Sequence, residues 1–301
     1  MRPPLQRYPL AIRIVLMFCM FMFNISIVSF LAMAVVPNLF SVQNITAISE
    51  GTLNSLGDIH AFLFIQGVGS LGGFALTAMM FSVLESGEFK HYLRLKIYPS
   101  VKMILLTVLA IIISQFFLDF LVQLNQKIAL PASLQLIYDY QKKAEDITNA
   151  VMNFKDFGTF IAVSFVMALI PAVAEEFFFR GLLLGDLLKG KVRPGIAIPL
   201  TGVLFAISHF EYDNTIAIFV LGSFLGYLYY VSGSLWLSII AHFTNNFLAV
   251  IMKYLFSLGI ISKDLADAKT PFYLTALSVV IFSVFIFLYN KWKNPANFVE
   301  V

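Results

Sequence analysis

Residues 172–185, AVAEEFFFRGLLLG, set two adjacent carboxylates, Glu175 and Glu176, and a guanidinium, Arg180, inside one of the most apolar regions of the chain. A glutamate desolvated among phenylalanines can act as a general base near neutral pH. Two of the four histidines also lie in apolar runs, His209 in LFAISHF and His242 in IIAHFTNNF, the latter four residues before Asn246. A carboxylate, two imidazoles and an amide form an inventory for amide hydrolysis. Glu175 activates water, His209 holds the same water, and His242 with Asn246 donates hydrogen bonds to the oxyanion of the tetrahedral intermediate. Ionisable residues at bilayer depth are costly and usually face a protein interior or a wet cavity.

Spacing assigns roles within this set. Glu176 and Arg180 are four apart, share a helix face and neutralise one another. Glu175 is five residues from Arg180, about 140° around the helix, and points elsewhere. A purely structural reading makes Glu176 and Arg180 a buried ion pair and Glu175 a carboxyl kept uncharged by burial. A metal variant uses the same residues, because Glu175, His209 and His242 match the ligand types of a zinc hydrolase, in which Zn2+ or a similar divalent metal lowers the pKa of bound water to about 7. The chain contains no HExxH, so such ligands would come from separate helices.

The elements that must hold these residues are membrane helices. Apolar residues make up 59% of the 301, charged residues only 12%, and mean hydropathy is +0.86, outside the range of soluble domains. Apolar segments at 10–36, 60–84, 101–124, 157–188, 195–210, 214–231, 234–257 and 272–290 approach or exceed the roughly 20 residues that cross a bilayer as helix. The expected fold is an all-α polytopic membrane protein of about eight transmembrane helices enclosing an intramembrane polar cavity. The fourth segment is over-long and must tilt, break near Pro171 or extend beyond the membrane. The first run is too long for the core of a cleaved signal peptide and reads as a span, although AMA at 32–34 leaves cleavage open. The one cysteine, Cys19, excludes an intrachain disulfide and a CxxC metal site. A net charge of +3 without a basic block excludes a nucleic-acid partner, and the lipid bilayer is the expected surrounding.

Arg2 and Arg7, then Lys90, Arg94 and Lys96, then Lys189, Lys191 and Arg193, and finally Lys291 and Lys293 all fall on one side of an eight-span chain. Short basic loops are cytoplasmic, so both termini are expected in the cytoplasm of a bacterial-type cytoplasmic membrane. Lys127, Lys142, Lys143 and Lys155 in the longest loop argue weakly the other way. Counted at 1.5 Å per residue from the basic ends, Glu175 and His209 lie roughly 20 Å deep and His242 roughly 12 Å, so three spans can meet at one cavity. GVGSLGG at 67–73 and the pair Gly222 and Gly226 are expected to let helices approach closely.

The order EExxxR, FxxxH, HxxxN resembles the CPBP family, the CAAX-type endopeptidases and bacteriocin-processing membrane proteases also called Abi. Here the motifs are Glu175 to Arg180, Phe205 to His209 and His242 to Asn246, and the resemblance covers about 157–257. It implies an intramembrane endopeptidase whose helical core opens toward the cytoplasm, with Glu175 and His209 activating water and His242 and Asn246 stabilising the oxyanion. It implies as substrate a membrane peptide or lipid-anchored protein: eukaryotic relatives cleave prenylated C-terminal tripeptides, and bacterial ones are linked to peptide maturation and bacteriocin immunity. The family is often labelled metalloprotease, while better-understood members look glutamate-dependent, so the metal stays open. The chain then divides into N-terminal helices (1–156), a catalytic core (157–257) and a C-terminal helix with a short tail (258–301). Two other functions use the same inventory: a transporter, disfavoured by the absence of an internal repeat, and a catalytically silent scaffold that binds a partner protein through the cavity.

Overall fold

The computed structural model describes residues 4–42, 45, 48, 53, 55–131, 133, 135–154, 156–262 and 268–291. Arg2, Lys155 and Lys293, used above for orientation, lie outside them. The regular structure of the described residues is all helical, without strands, and the protein is an integral, multi-pass membrane protein. Among the described residues, seven helices are long and apolar enough to cross a membrane. In chain order they are α1 (Leu10–Phe40), α2 (Leu56–Ser86), α3 (Val101–Asn125), α5 (Phe157–Lys189), α7 (Thr215–Ser232, extended by the turn Tyr212–Asn214), α8 (Leu235–Ser257) and α9 (Phe272–Lys291). The eighth expected span is α6 (Pro194–Ser208), only 15 residues long. It ends early because Phe210 takes a left-handed φ of 53°, which turns the chain out of the helix directly after His209. Large apolar side chains such as Phe30, Leu105, Val280 and Phe287 stand exposed, as a lipid-facing surface requires.

The over-long fourth segment does not break at Pro171. It runs as one helix to Lys189 and widens into π-helical turns at Ser164–Leu169 and Phe177–Leu184. The first widened stretch contains Met167, four residues before Pro171, whose carbonyl the proline ring would meet in a regular α-helix, and the second carries Arg180. The charged segment expected as the longest loop contains a helix of its own, α4 (Gln135–Val151). Its apolar residues, Leu136, Ile137, Tyr140, Ala144, Ile147 and Val151, recur every three or four positions. Mean hydropathy misses such a surface-type helix because it averages the two faces.

Packing ties all parts of the chain together. Ala110 and Ile111 of α3, Leu225 and Leu228 of α7, Leu237 and Ala241 of α8 and Phe285 and Tyr289 of α9 form one buried cluster. Another joins Met17 of α1 and Phe81 of α2 to Phe178 and Leu182 of α5. At one end of the bundle Arg13 bonds Glu85 at 2.6 Å and Asp186 at 3.0 Å, and the Tyr92 hydroxyl donates to Asp186 at 3.2 Å. At the other end Asn125 Nδ2 donates to Tyr212 O, and Gln141 of α4 exchanges two hydrogen bonds with Asp213. The glycines act as spacers: a Cβ on Gly72 would stand 2.6 Å from Val28, and one on Gly222 2.9 Å from Phe205.

Candidate functional site

α5 carries Glu176 and Arg180 into the centre of the bundle, where both are fully buried. Arg180 Nη1 donates to Glu176 Oε1 at 2.5 Å, and Nη2 donates to the Gly222 carbonyl at 2.8 Å. That carbonyl is reachable because Gly222 lets α7 lie against α6, its absent Cβ facing Phe205 and the Gly202 backbone. The guanidinium stacks on Phe205, 4.4 Å from the ring centroid, so cation–π attraction replaces part of its lost hydration.

Glu176 has a second partner that spacing along α5 could not reveal. His242 of α8, 66 residues away, places Nδ1 2.9 Å from the same Oε1. Paired with Arg180, the carboxylate accepts, so Nδ1 carries the proton and Nε2 is turned elsewhere. His209, at the end of α6, is fixed in the same sense: Nδ1 lies 2.7 Å from Phe205 O, an atom that can only accept. Both free Nε2 atoms face Glu175 Oε2, at 4.0 Å for His209 and 3.9 Å for His242. That oxygen has no hydrogen-bond partner among the described residues.

The structure therefore brings together Glu175, Glu176, Arg180, His209 and His242. Asn246 stands one turn beyond His242 on α8, half-buried, and its Oδ1 accepts from Asn245 Nδ2 at 3.2 Å. It makes no hydrogen bond to the other five. Phe205 is the residue whose weight the sequence did not show, since its ring lies 4.5 Å from His209 and 5.6 Å from His242 as well as under Arg180. Its position four residues before His209 was the only signal.

For a metal, the donor geometry is unfavourable. Zinc bonds of about 2.0–2.2 Å in a tetrahedral site bring ligand atoms within about 3.5 Å of one another. Glu175 Oε2 lies further than that from both His209 Nε2, at 4.0 Å, and His242 Nε2, at 3.9 Å, and among the described residues no group of three or more His, Cys, Asp or Glu is arranged to hold an ion. A separation near 4 Å instead matches two polar atoms bridged by water.

Of the site residues, His209 borders a cavity at the α4 end. A cavity of about 220 Å3 is lined by His209, Phe210, Glu211 and Asn214 on one side and Tyr140, Gln141, Ala144, Glu145 and Thr148 of α4 on the other. This end is opposite the one holding Arg13, Tyr92 and Asp186. This cavity and the chain termini therefore lie at opposite ends of the bundle.

Fold and site together define a multi-pass membrane protein with a buried acid–imidazole centre. Residues 157–248 match the family model described as Rce1-like, type II CAAX prenyl endopeptidase Rce1-like, so this segment is similar to that family. The match spans a little under a third of the chain and includes all three motifs. No curated protein and no solved structure matches the chain.

Proposed function

We propose that the protein hydrolyses a peptide bond of a membrane-associated or lipid-modified peptide with water activated by Glu175. The observation that carries this reading is the convergence of His209 Nε2 and His242 Nε2 on Glu175 Oε2 at 4.0 and 3.9 Å, each ring held by a separate Nδ1 bond. Glu175 Oε2 and the His209 Nε2 lone pair are two acceptors facing one space, which the two protons of a water satisfy, and a proton on His242 Nε2 makes that ring the donor beside them.

With Glu176 and Arg180 cancelling, Glu175 is the uncompensated charge of the cluster, and a proton on an imidazole Nε2 compensates it. Glu175 takes a proton from water as the water oxygen attacks the carbonyl carbon. The resulting oxyanion is held by a protonated His242 Nε2 and by Asn246 Nδ2, and Glu175 then delivers its proton to the leaving nitrogen as the C–N bond breaks. Glu176 and Arg180 keep His242 in place. No step requires a metal. With the basic loops placed in the cytoplasm on charge, the cavity beside His209 opens to the other side.

The substrate assignment is tested by comparing purified protein on prenylated and unprenylated forms of the same C-terminal membrane peptides. Faster cleavage of the prenylated form supports a lipid-modified substrate, and equal rates limit the assignment to membrane peptides in general.

A further inference from the structure

Gln115 of α3 lies outside the segment that matches the family, yet it begins a chain of amide contacts that ends at Asn246. Its Nε2 donates to the Ile111 carbonyl at 3.0 Å and to Asn245 Oδ1 at 3.2 Å, and Asn245 Nδ2 in turn donates to Asn246 Oδ1 at 3.2 Å. An amide side chain can present its oxygen or its nitrogen in either direction, so each link is ambiguous until one end is fixed. The Ile111 carbonyl fixes it, because that oxygen can only accept and so holds the Gln115 nitrogen toward it.

From there each orientation follows. Asn245 must turn its oxygen to Gln115 and its nitrogen to Asn246, and Asn246 must turn its oxygen to Asn245. The Asn246 NH2 group is left with no acceptor among the described residues. On α8 it is four residues from His242 and shares its face.

We propose that Gln115 is a positioning residue that sets the polarity of this relay and so keeps Asn246 facing the site as a hydrogen-bond donor. The inference rests on the hydrolytic reading above, in which Asn246 donates to the oxyanion. A reversed Asn246 would present an acceptor to a developing negative charge.

The test is a mutant cycle on kcat and KM with a membrane peptide that the wild type cleaves. Gln115→Leu lowers kcat about tenfold with KM within about twofold, since an oriented donor acts mainly in the transition state. In an Asn246→Leu background, Gln115→Leu changes kcat no further. An unchanged kcat in Gln115→Leu, or a loss that persists in the Asn246→Leu background, overturns the proposal. Glu175→Gln is run beside them: full activity in that variant refutes the hydrolytic reading itself. The relay is then judged by melting temperatures alone, where coupling between Gln115→Leu and Asn245→Leu supports it and additivity overturns it.

Discussion

Glu176 and His242 are joined across two helices by a 2.9 Å bond, and the same carboxylate oxygen holds Arg180 at 2.5 Å. One atom thus fixes both a buried cation and an imidazole. Replacing it should cost more stability than replacing its neighbour. Glu176→Gln leaves Arg180 as an uncompensated buried charge, an effect of about 3–5 kcal/mol, whereas Glu175 has no direct hydrogen bond at Oε2. Melting temperatures in detergent check this, with Glu176→Gln clearly below Glu175→Gln. Equal values would refute the pairing.

Much of this arrangement was legible in the chain, and the reasons for the rest are physical. Long apolar runs fix span positions closely, as 101–124 against Val101–Asn125 and 272–290 against Phe272–Lys291 illustrate. The Glu176–Arg180 pair follows from helical periodicity. The Glu176–His242 bond does not, because contacts between distant helices leave no periodic trace. α4 was hidden by its charges. Gln115 is a single amide in an apolar helix, with nothing in the sequence to pair it with Asn245 130 residues away.

His242→Ala should slow turnover by about 10²–10³ with little change in KM, as expected for a donor whose hydrogen bond strengthens in the transition state. Steady-state kinetics on a cleaved peptide separate the two constants. A rise in KM at constant kcat would move His242 from the chemistry to substrate binding.

Gly222 is a close-approach position. Gly222→Leu forces Phe205 away, since even a Cβ there would lie 2.9 Å from that ring, and it displaces the carbonyl that binds Arg180. Overpacking of this kind costs about 1–3 kcal/mol. Gly226→Ala, whose Cβ would meet side chains at 3.3–3.4 Å, should lower the melting temperature less. The reverse order would show that α7 does not lie against α6 as described.

Outside the membrane, Asp156 caps α5 through Thr159 N at 2.8 Å and Thr159 Oγ1 at 3.0 Å, and these bonds hold its carboxyl below the ordinary value of 3.8. A depressed carboxyl contributes stability above its unfolded pKa and loses it as pH falls through the folded value. The wild type should therefore melt above Asp156→Asn at neutral pH, and the difference should shrink to nothing below the folded pKa. A difference independent of pH, or one that grows in acid, would rule out this cap as the titrating contribution.

The central claim is that Glu175 activates the water. Its most direct test is cleavage of one membrane peptide by purified wild type and by Glu175→Gln of matched folding, each with and without chelator. Cleavage by the wild type that survives chelation and is abolished in Glu175→Gln is the predicted result. Equal cleavage by wild type and Glu175→Gln would contradict it, and loss of wild-type cleavage in chelator would replace the glutamate-activated water with a metal-bound one.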